Sequence, residues 1–266
     1  NQASSIDSYN TAVGSSAGGA ITTGTFNVLL GATSGDALTD ADFNVALGYS
    51  ALGTDTLGSR SVAVGHSALN NQNFTSATDS YNTAVGFFAG LAVTTGIHNT
   101  IIGGLAGDAL TDADSNIAIG VSALSTDTLG SKSVAIGLSA LATQNFTTAT
   151  DTFNTAVGFN AGLAVTTGIR NTLIGGLAGD ALTTGYFNTA VGYSALSADT
   201  LGRLSVAVGY GALQTQNFTT GTDVYNVAVG HNAGAAVTTG SVNTLIGGLA
   251  GDALTDADKN VAVGFG

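Results

Sequence analysis

The sequence of 266 residues contains no cysteine, which excludes disulfide frameworks, thiolate metal sites and cysteine nucleophiles. It also lacks proline, methionine and tryptophan, and its apolar residues are mostly alanine, valine, leucine and isoleucine beside 39 glycines. These small side chains predict a thin interior rather than a core of large side chains. There is no run of 18 apolar residues and no basic segment leading into an apolar one, so neither membrane insertion nor a signal peptide is predicted.

Positive charge is scarce, with five lysines and arginines and a formal net charge of −12. All 17 acidic residues are aspartates, which favour turns and corners over helix interiors. A chain without a cationic surface cannot neutralise phosphate groups, so nucleic acid is not an expected partner.

A five-residue motif, typified by Asn82-Thr83-Ala84-Val85-Gly86, recurs fifteen times. Successive motifs begin 17, 17, 17 and then 21 residues apart, which groups the coils in fours with a super-repeat of 72 residues. The fourth coil of each group carries four extra residues around a Gln-Asn-Phe segment. Such periodicity indicates a repeat architecture, and we predict a single repeat domain over residues 1–266, a fragment of a longer fibre. The motifs begin at Asn10, Asn27, Asn44, Ser61, Asn82, Asn99, Asn116, Ser133, Asn154, Asn171, Asn188, Ser205, Asn226, Asn243 and Asn260.

The coil length favours strands over helices. Seventeen residues are too few for two helices and a turn, and β-branched residues between glycine, asparagine, aspartate and threonine predict short strands with tight corners. The sequence therefore predicts an all-β solenoid of about 15 coils. Because side chains alternate along a strand, the third residue of the motif, usually alanine, and the fifth, always glycine, are predicted to face the interior. The first residue, asparagine or serine, is predicted to form a ladder at a corner.

The fourth residue of the motif is always valine, isoleucine or leucine and is predicted to face away from the thin interior. Leaving fifteen such side chains in water would forfeit tens of kcal/mol at roughly 25 cal/mol per Å² of apolar area. Because a continuous apolar stripe marks an interface, we predict a cyclic homo-oligomer packed along it. The predicted seam comprises Val13, Leu30, Leu47, Val64, Val85, Ile102, Ile119, Ile136, Val157, Ile174, Val191, Val208, Val229, Ile246 and Val263.

Two phrases carry a resemblance to known repeats. Asn-Thr-Ala-Val-Gly-Phe-Asn-Ala-Gly at 154–162 and Ser-Val-Ala-Val-Gly-His-Ser-Ala-Leu at 61–69 resemble the head repeats of trimeric autotransporter adhesins of the YadA type. Coils ending in Thr-Thr-Gly, as at 94–96, resemble repeats of phage tail fibres. The resemblance covers almost the whole chain, but the 17- and 21-residue spacing departs from the shorter repeats of adhesin heads.

The resemblance implies a left-handed parallel β-roll, assembled as an intertwined or side-by-side homotrimer. Such repeats form fibres on a virion or at the extracellular surface of a bacterium, and they carry an end that attaches to a host receptor or glycan. The expected function is therefore that of a structural or adhesive rod, most simply the shaft or head of a phage tail fibre. A bacterial surface adhesin head is the neighbouring alternative.

The segment Asp-Ala-Asp-x-Asn occurs three times and has the spacing that opens a calcium-binding loop. The glycine and the distal glutamate of such a loop are absent, and aspartate is common in solvated corners, which is the favoured interpretation. No other cofactor is predicted. The calcium hypothesis names Asp40, Asp42, Asp112, Asp114, Asp256 and Asp258.

The residue after the motif glycine is often aromatic, and such rings either cover a corner or seam or bind sugar rings at the surface. The second interpretation names Tyr49, Phe87, Phe159, Tyr193 and Tyr210. Pairs of threonines, such as Thr22-Thr23 and Thr94-Thr95, raise an ice- or carbohydrate-binding solenoid as a further alternative, although the pairs skip most coils. An enzyme is not expected, because interchangeable coils offer no single place for a nucleophile, a base and an orienting group.

Overall fold

The computed structural model describes residues 7–266, and every regular element in that range is a β-strand. Fifteen strands have three residues each and coincide with residues two to four of the motif. Of six further strands of two residues, three end the third coils of the super-repeats and three lie in the longer fourth coils. In chain order the strands are β1 (Thr11–Val13), β2 (Val28–Leu30), β3 (Val45–Leu47), β4 (Gly58–Ser59), β5 (Val62–Val64), β6 (Thr78–Asp79), β7 (Thr83–Val85), β8 (Thr100–Ile102), β9 (Ile117–Ile119), β10 (Gly130–Ser131), β11 (Val134–Ile136), β12 (Thr150–Asp151), β13 (Thr155–Val157), β14 (Thr172–Ile174), β15 (Thr189–Val191), β16 (Gly202–Arg203), β17 (Val206–Val208), β18 (Thr222–Asp223), β19 (Val227–Val229), β20 (Thr244–Ile246) and β21 (Val261–Val263).

The described chain forms two compact units, residues 7–132 with 147–150, and residues 133–146 with 151–266. In the first unit β1, β2, β3, β5, β7, β8 and β9 pair in parallel, each residue beside its counterpart one coil later. In the second unit β11, β13, β14, β15, β17, β19, β20 and β21 do the same. The short strands add the pairs β4–β6 and β16–β18. The predicted β-solenoid of about 15 coils is confirmed.

Each strand ends after the fourth residue of its motif because the glycine that follows has a φ of 129–144°. Residues that carry a side chain rarely adopt this region of φ. The next coil also leaves no space for one, since a Cβ built on Gly103 would lie 2.5 Å from the carbonyl oxygen of Gly120. The motif glycine therefore ends the strand and lets successive coils stack closely.

The interior begins with the third residue of each motif, as predicted. The motif alanines from Ala46 to Ala228 are fully buried, and so are the alanines three residues beyond the motif glycine in the inner coils, such as Ala51 and Ala123. The position three residues beyond the motif glycine holds one exception to alanine, Ser34, whose hydroxyl donates to the carbonyl of Gly31 at 3.0 Å. Alanine thus lines most of one side of the interior, and the third residue is a buried leucine or isoleucine in the second coil of each super-repeat, at Leu29, Ile101, Leu173 and Leu245.

Leucine and valine from the corners fill the opposite side of the interior. Some coils have a second glycine four residues after the motif glycine, and their inner members bury an aliphatic residue seven residues after the motif glycine. Gly90 and Val93, which follow the motif glycine Gly86, are an example. The other coils reverse this arrangement and bury leucine at the earlier position, as with Leu124.

The first residue of the motif forms the predicted ladder. The Asn27 backbone amide donates to Asn10 Oδ1 at 2.8 Å, and that of Asn44 donates to Asn27 Oδ1 at 2.9 Å. The side-chain amide of Asn27 also donates to the carbonyl of Ala41 at 2.7 Å, so each inner asparagine links its own coil to both neighbours. Because the inner asparagines, such as Asn27 and Asn44, are fully buried, the ladder satisfies groups that would otherwise be costly to bury.

Candidate functional site

The outward face of the strands, called here the strand face, carries the second and fourth residues of each motif. None of the fifteen aliphatic residues predicted as a seam is buried within its own chain. Leu30 remains 47% exposed, Ile174 39% and Ile246 41%. A single chain therefore presents an unbroken column of valine, isoleucine and leucine in each unit. The seam itself remains a prediction.

The residue after the motif glycine forms a column along one border of the strand face, called here the following column. Its five predicted aromatic residues are all more than half exposed. Tyr193 stacks on Tyr210 with ring centroids 5.7 Å apart, and Tyr210 stacks on His231 at 5.3 Å. In the first unit His66 lies between Tyr49 and Phe87. Binding of a sugar by these rings stays a prediction.

The residue before the motif forms a second exposed column along the other border, called here the preceding column, which the sequence interpretation missed. In the first unit Tyr9, Phe26 and Phe43 stack with centroids 4.9 and 5.0 Å apart, and Arg60 continues the stack 5.1 Å from the Phe43 ring. All fifteen residues of this column have a left-handed φ of 49–63°. The sequence did carry a signal for this column, because four of the five cationic residues stand directly before a motif. The column comprises Tyr9, Phe26, Phe43, Arg60, Tyr81, His98, Ser115, Lys132, Phe153, Arg170, Phe187, Leu204, Tyr225, Val242 and Lys259.

Five of the six aspartates of the calcium hypothesis accept hydrogen bonds from the preceding coil, whereas Asp256 accepts from Thr255 Oγ1 of its own coil at 3.2 Å. Asp42 Oδ1 accepts from the backbone amide and the hydroxyl of Thr25 at 2.6 and 2.8 Å. Asp112 accepts from Thr95 at 2.7 Å, and Asp114 accepts from the amide of Ile97 at 2.8 Å. Within residues 7–266 no three acidic or histidine side chains are grouped as a metal site. The geometry assigns these carboxylates a corner-capping role, and calcium binding stays a prediction.

Asp258 shows the electrostatic effect of this capping. Its Oδ1 accepts from the amide of Ser241 at 2.7 Å and from the Ser241 hydroxyl at 3.0 Å. These hydrogen bonds favour the ionised carboxylate and lower the pKa of Asp258. The corner is therefore built for a charged aspartate.

The threonine pairs of the ice-binding alternative are also bonded within the chain. Thr22 Oγ1 donates to the carbonyl of Thr39 at 3.2 Å, and Thr23 Oγ1 donates to Asp40 at 2.6 Å. The first threonine belongs to a column in which each hydroxyl points to the next coil, as Thr39 donates to Thr56. These hydroxyls hold neighbouring coils together.

A buried polar pair recurs in the third and fourth coils of each super-repeat. Asp199 is fully buried, and its Oδ2 accepts from Gln216 Nε2 at 2.6 Å. Gln216 also donates to Ser205 Oγ at 3.1 Å and accepts from Asn226 Nδ2 at 2.9 Å. Asp55 and Gln72 repeat the arrangement, with the same 2.6 Å bond.

This pair explains why serine starts the fourth motif. The short side chain leaves room for the glutamine carboxamide, which occupies the layer where other coils place asparagine. Serine and glutamine accordingly occur together in all three longer coils, at Ser61 with Gln72, Ser133 with Gln144, and Ser205 with Gln216. The aspartate and glutamine take the position that holds buried leucine or valine in the other two coils. This 72-residue alternation was visible in the sequence but was not interpreted.

Burial raises the pKa of several aspartates. Desolvation raises the pKa of Asp199, although its hydrogen bonds oppose the effect, and desolvation also raises the pKa of Asp108 and Asp180. In each of the last two, Oδ1 is buried without a hydrogen-bond partner. Burying an ionised oxygen without a donor is unfavourable.

We expect the melting temperature (Tm) to rise as the pH falls from 7 towards 4.5. A pKa raised by folding means that the folded state binds protons more readily than the unfolded state, so stability is lost as pH rises through the folded-state pKa. Asp180→Asn should raise Tm at pH 7 by on the order of 1 °C and weaken the pH dependence. Thermal melts at both pH values measure this.

The matched control is Asp36→Asn, at the equivalent position of an earlier coil. It should leave the melt and its pH dependence close to those of the parent. A lower Tm for Asp180→Asn at pH 7, or equal shifts in both variants, would contradict the role of the unpartnered oxygen.

No helix among residues 7–266 could span a membrane. The three histidines lie in the two bordering columns, where His66, His98 and His231 contact aromatic rings. Comparison of the chain with protein-family models, with curated proteins and with solved structures finds no match. The strand face, its two bordering columns and the buried Asp–Gln pairs are thus the features of the chain that bear on its function.

Proposed function

We propose that this chain is a structural and adhesive segment of an extracellular fibre, assembled from three copies through the strand face. A tail fibre of a phage is the preferred setting, and an adhesin head on a bacterial surface is the alternative. The left-handed sense of the coil and the three-fold symmetry are parts of this proposal, and both rest on the resemblance of the repeats. No catalytic activity is proposed.

One observation carries the proposal, namely that fifteen aliphatic side chains face outward and none is buried by its own chain. A monomeric protein rarely exposes so continuous an apolar surface, and patches of this kind mark contacts with other molecules. The remaining exposed corners are rich in aspartate, which favours solvent. Copies of the chain can bury one strand face each while their acidic corners stay in water.

The mechanism of the segment is mechanical and multivalent. In-register strands and the buried ladder connect successive coils within each unit. Three parallel copies would present every surface site three times, and linked weak contacts gain strength through effective concentration. Host attachment through a receptor or glycan is the expected use of such an arrangement.

The first test is the mass of the particle in solution, measured by light scattering after size-exclusion chromatography. We expect three times the chain mass of 25.9 kDa. Val85→Asp places a charge in the strand face and should shift the particle towards single chains, because burying an unpaired carboxylate is strongly unfavourable. A parent protein that runs as a single chain would refute the proposal.

Thr75→Asp is the matched control for that variant. Thr75 lies in an exposed segment of the preceding coil, outside the strand face. This variant should keep the mass of the parent. Dissociation of both variants to the same extent would point to net charge rather than to the strand face.

A further inference from the structure

The two columns that border the strand face differ in charge and size. The following column carries no charged residue in any of its fifteen positions, whereas the preceding column holds Arg60, Lys132, Arg170 and Lys259. All four of these cations are exposed. The two borders of the face are therefore chemically distinct, which a surface facing only water does not require.

A cyclic assembly brings unlike borders together. When copies are related by rotation about an axis parallel to the stack of strands, one border of each copy faces the opposite border of the next. We propose that the following column of one copy packs against the preceding column of the neighbouring copy. This inference rests on the proposed assembly through the strand face and specifies its contacts.

Residues of the same coil in two neighbouring copies, called here the equal coil, fit this arrangement in charge. Since the following column is uncharged, no coil brings two like charges together. Cations of the preceding column already contact rings within one chain, because Arg60 lies 5.8 Å from the Tyr81 ring and Arg170 lies 5.2 Å from the Phe187 ring. In the equal coil of a second copy, Phe265 offers Lys259 a further cation–π contact of the same kind.

The residues also fit in size. Where the following column has Gly104 or Gly176, the preceding column of the same coil has His98 or Arg170, so that a large side chain meets a small one. In four further coils both columns carry a phenylalanine or tyrosine, so ring meets ring. These ring pairs are Phe43 with Tyr49, Tyr81 with Phe87, Phe153 with Phe159, and Phe187 with Tyr193.

The stacked rings suit a protein neighbour better than a sugar. In the following column Tyr210 lies between Tyr193 and His231 with interplanar angles of 15° and 9°, so both faces of its ring are covered and its edge is left exposed. A sugar binds an aromatic face, whereas edges pack readily against other rings. A glycan is therefore the competing occupant that the experiment has to separate.

The exposed area is of the size that such a contact needs. Tyr49, Phe87, Phe159, Tyr193 and Tyr210 are each 52–56% exposed. An aromatic side chain offers 150–250 Å² to bury, so these five leave roughly 500 Å² available. A standard interface buries about 800 Å² on each partner, and the aliphatic strand face supplies the remainder.

Because the chain has no cysteine, introduced thiols report on this contact directly. The test variant combines Tyr81→Cys with Phe87→Cys and is treated with a short bis-maleimide. Each chain then offers one thiol to either neighbour, and denaturing electrophoresis should show a covalent three-chain band. The control combines Thr75→Cys, in an exposed segment of the preceding coil, with Phe87→Cys, and should give no such band. Phe153→Cys with Phe159→Cys repeats the test in the second unit, in case the first pair impairs folding.

Two measurements separate the inference from the proposed function. A three-chain mass by light scattering together with the covalent three-chain band supports both. A three-chain mass without that band in either double variant overturns the paired columns, leaves the assembly intact and frees the rings for a glycan. A single-chain mass overturns both.

Discussion

Replacing Gly103 by alanine is expected to lower the free energy of unfolding by more than about 4 kcal/mol, or to prevent folding. The glycine has a φ of 134°, and its added Cβ would lie 2.5 Å from the Gly120 carbonyl oxygen. The first effect strains the backbone and the second pushes two coils apart, so neither a rotamer change nor a local shift relieves them. Circular dichroism with chemical or thermal unfolding measures the loss.

The neighbouring residue provides the matched control. Gly104 has no left-handed φ, and the nearest atom to its added Cβ is the Phe87 carbonyl oxygen at 4.0 Å. Gly104→Ala should therefore change stability by no more than about 0.5 kcal/mol, since the substitution meets open space. Similar losses in both variants would mean that the glycines act through chain flexibility rather than through close stacking of the coils.

Replacing Gln216 by leucine is expected to cost about 3–5 kcal/mol, because the change leaves a buried carboxylate without its side-chain donor. The variant removes the 2.6 Å bond to Asp199 and leaves Asn226 Nδ2 without one of its two acceptors. It should also raise the pKa of Asp199 further above its ordinary value, so that the loss is smaller at pH 4.5 than at pH 7. Unfolding measured at both pH values tests magnitude and sign together.

Gln214→Leu, two residues earlier in the same coil, is the control. Gln214 is exposed and should tolerate leucine with a change within about 0.5 kcal/mol. A loss for Gln216→Leu that does not depend on pH would show that packing, rather than the carboxylate, is responsible.

The period of the repeat was enough to predict the class of fold and the direction of most strand side chains. Alternation along a three-residue strand places Ala63 inside and Val64 outside once the strand is recognised. The asparagine ladder followed from the same reasoning, since a residue repeated at a corner meets its own copy in the next coil.

The corners were predicted less well because their geometry is not periodic within a coil. Phe43 and Leu52 have a left-handed backbone conformation that their residue types do not indicate. The preceding column and the leucine side of the interior were therefore not predicted. The fully buried Asp55 was taken as a corner residue by composition, whereas its partner Gln72 makes an interior position tolerable. Recognising that pair requires knowing which coils touch.

The pairing of aspartate in one coil with glutamine in the next limits how a protein of this kind changes length during evolution. Loss of one glutamine coil by recombination would set a buried carboxylate against valine, and insertion of a coil between the two would also separate donor from acceptor. Related chains are therefore expected to gain or lose the aspartate and glutamine coils together.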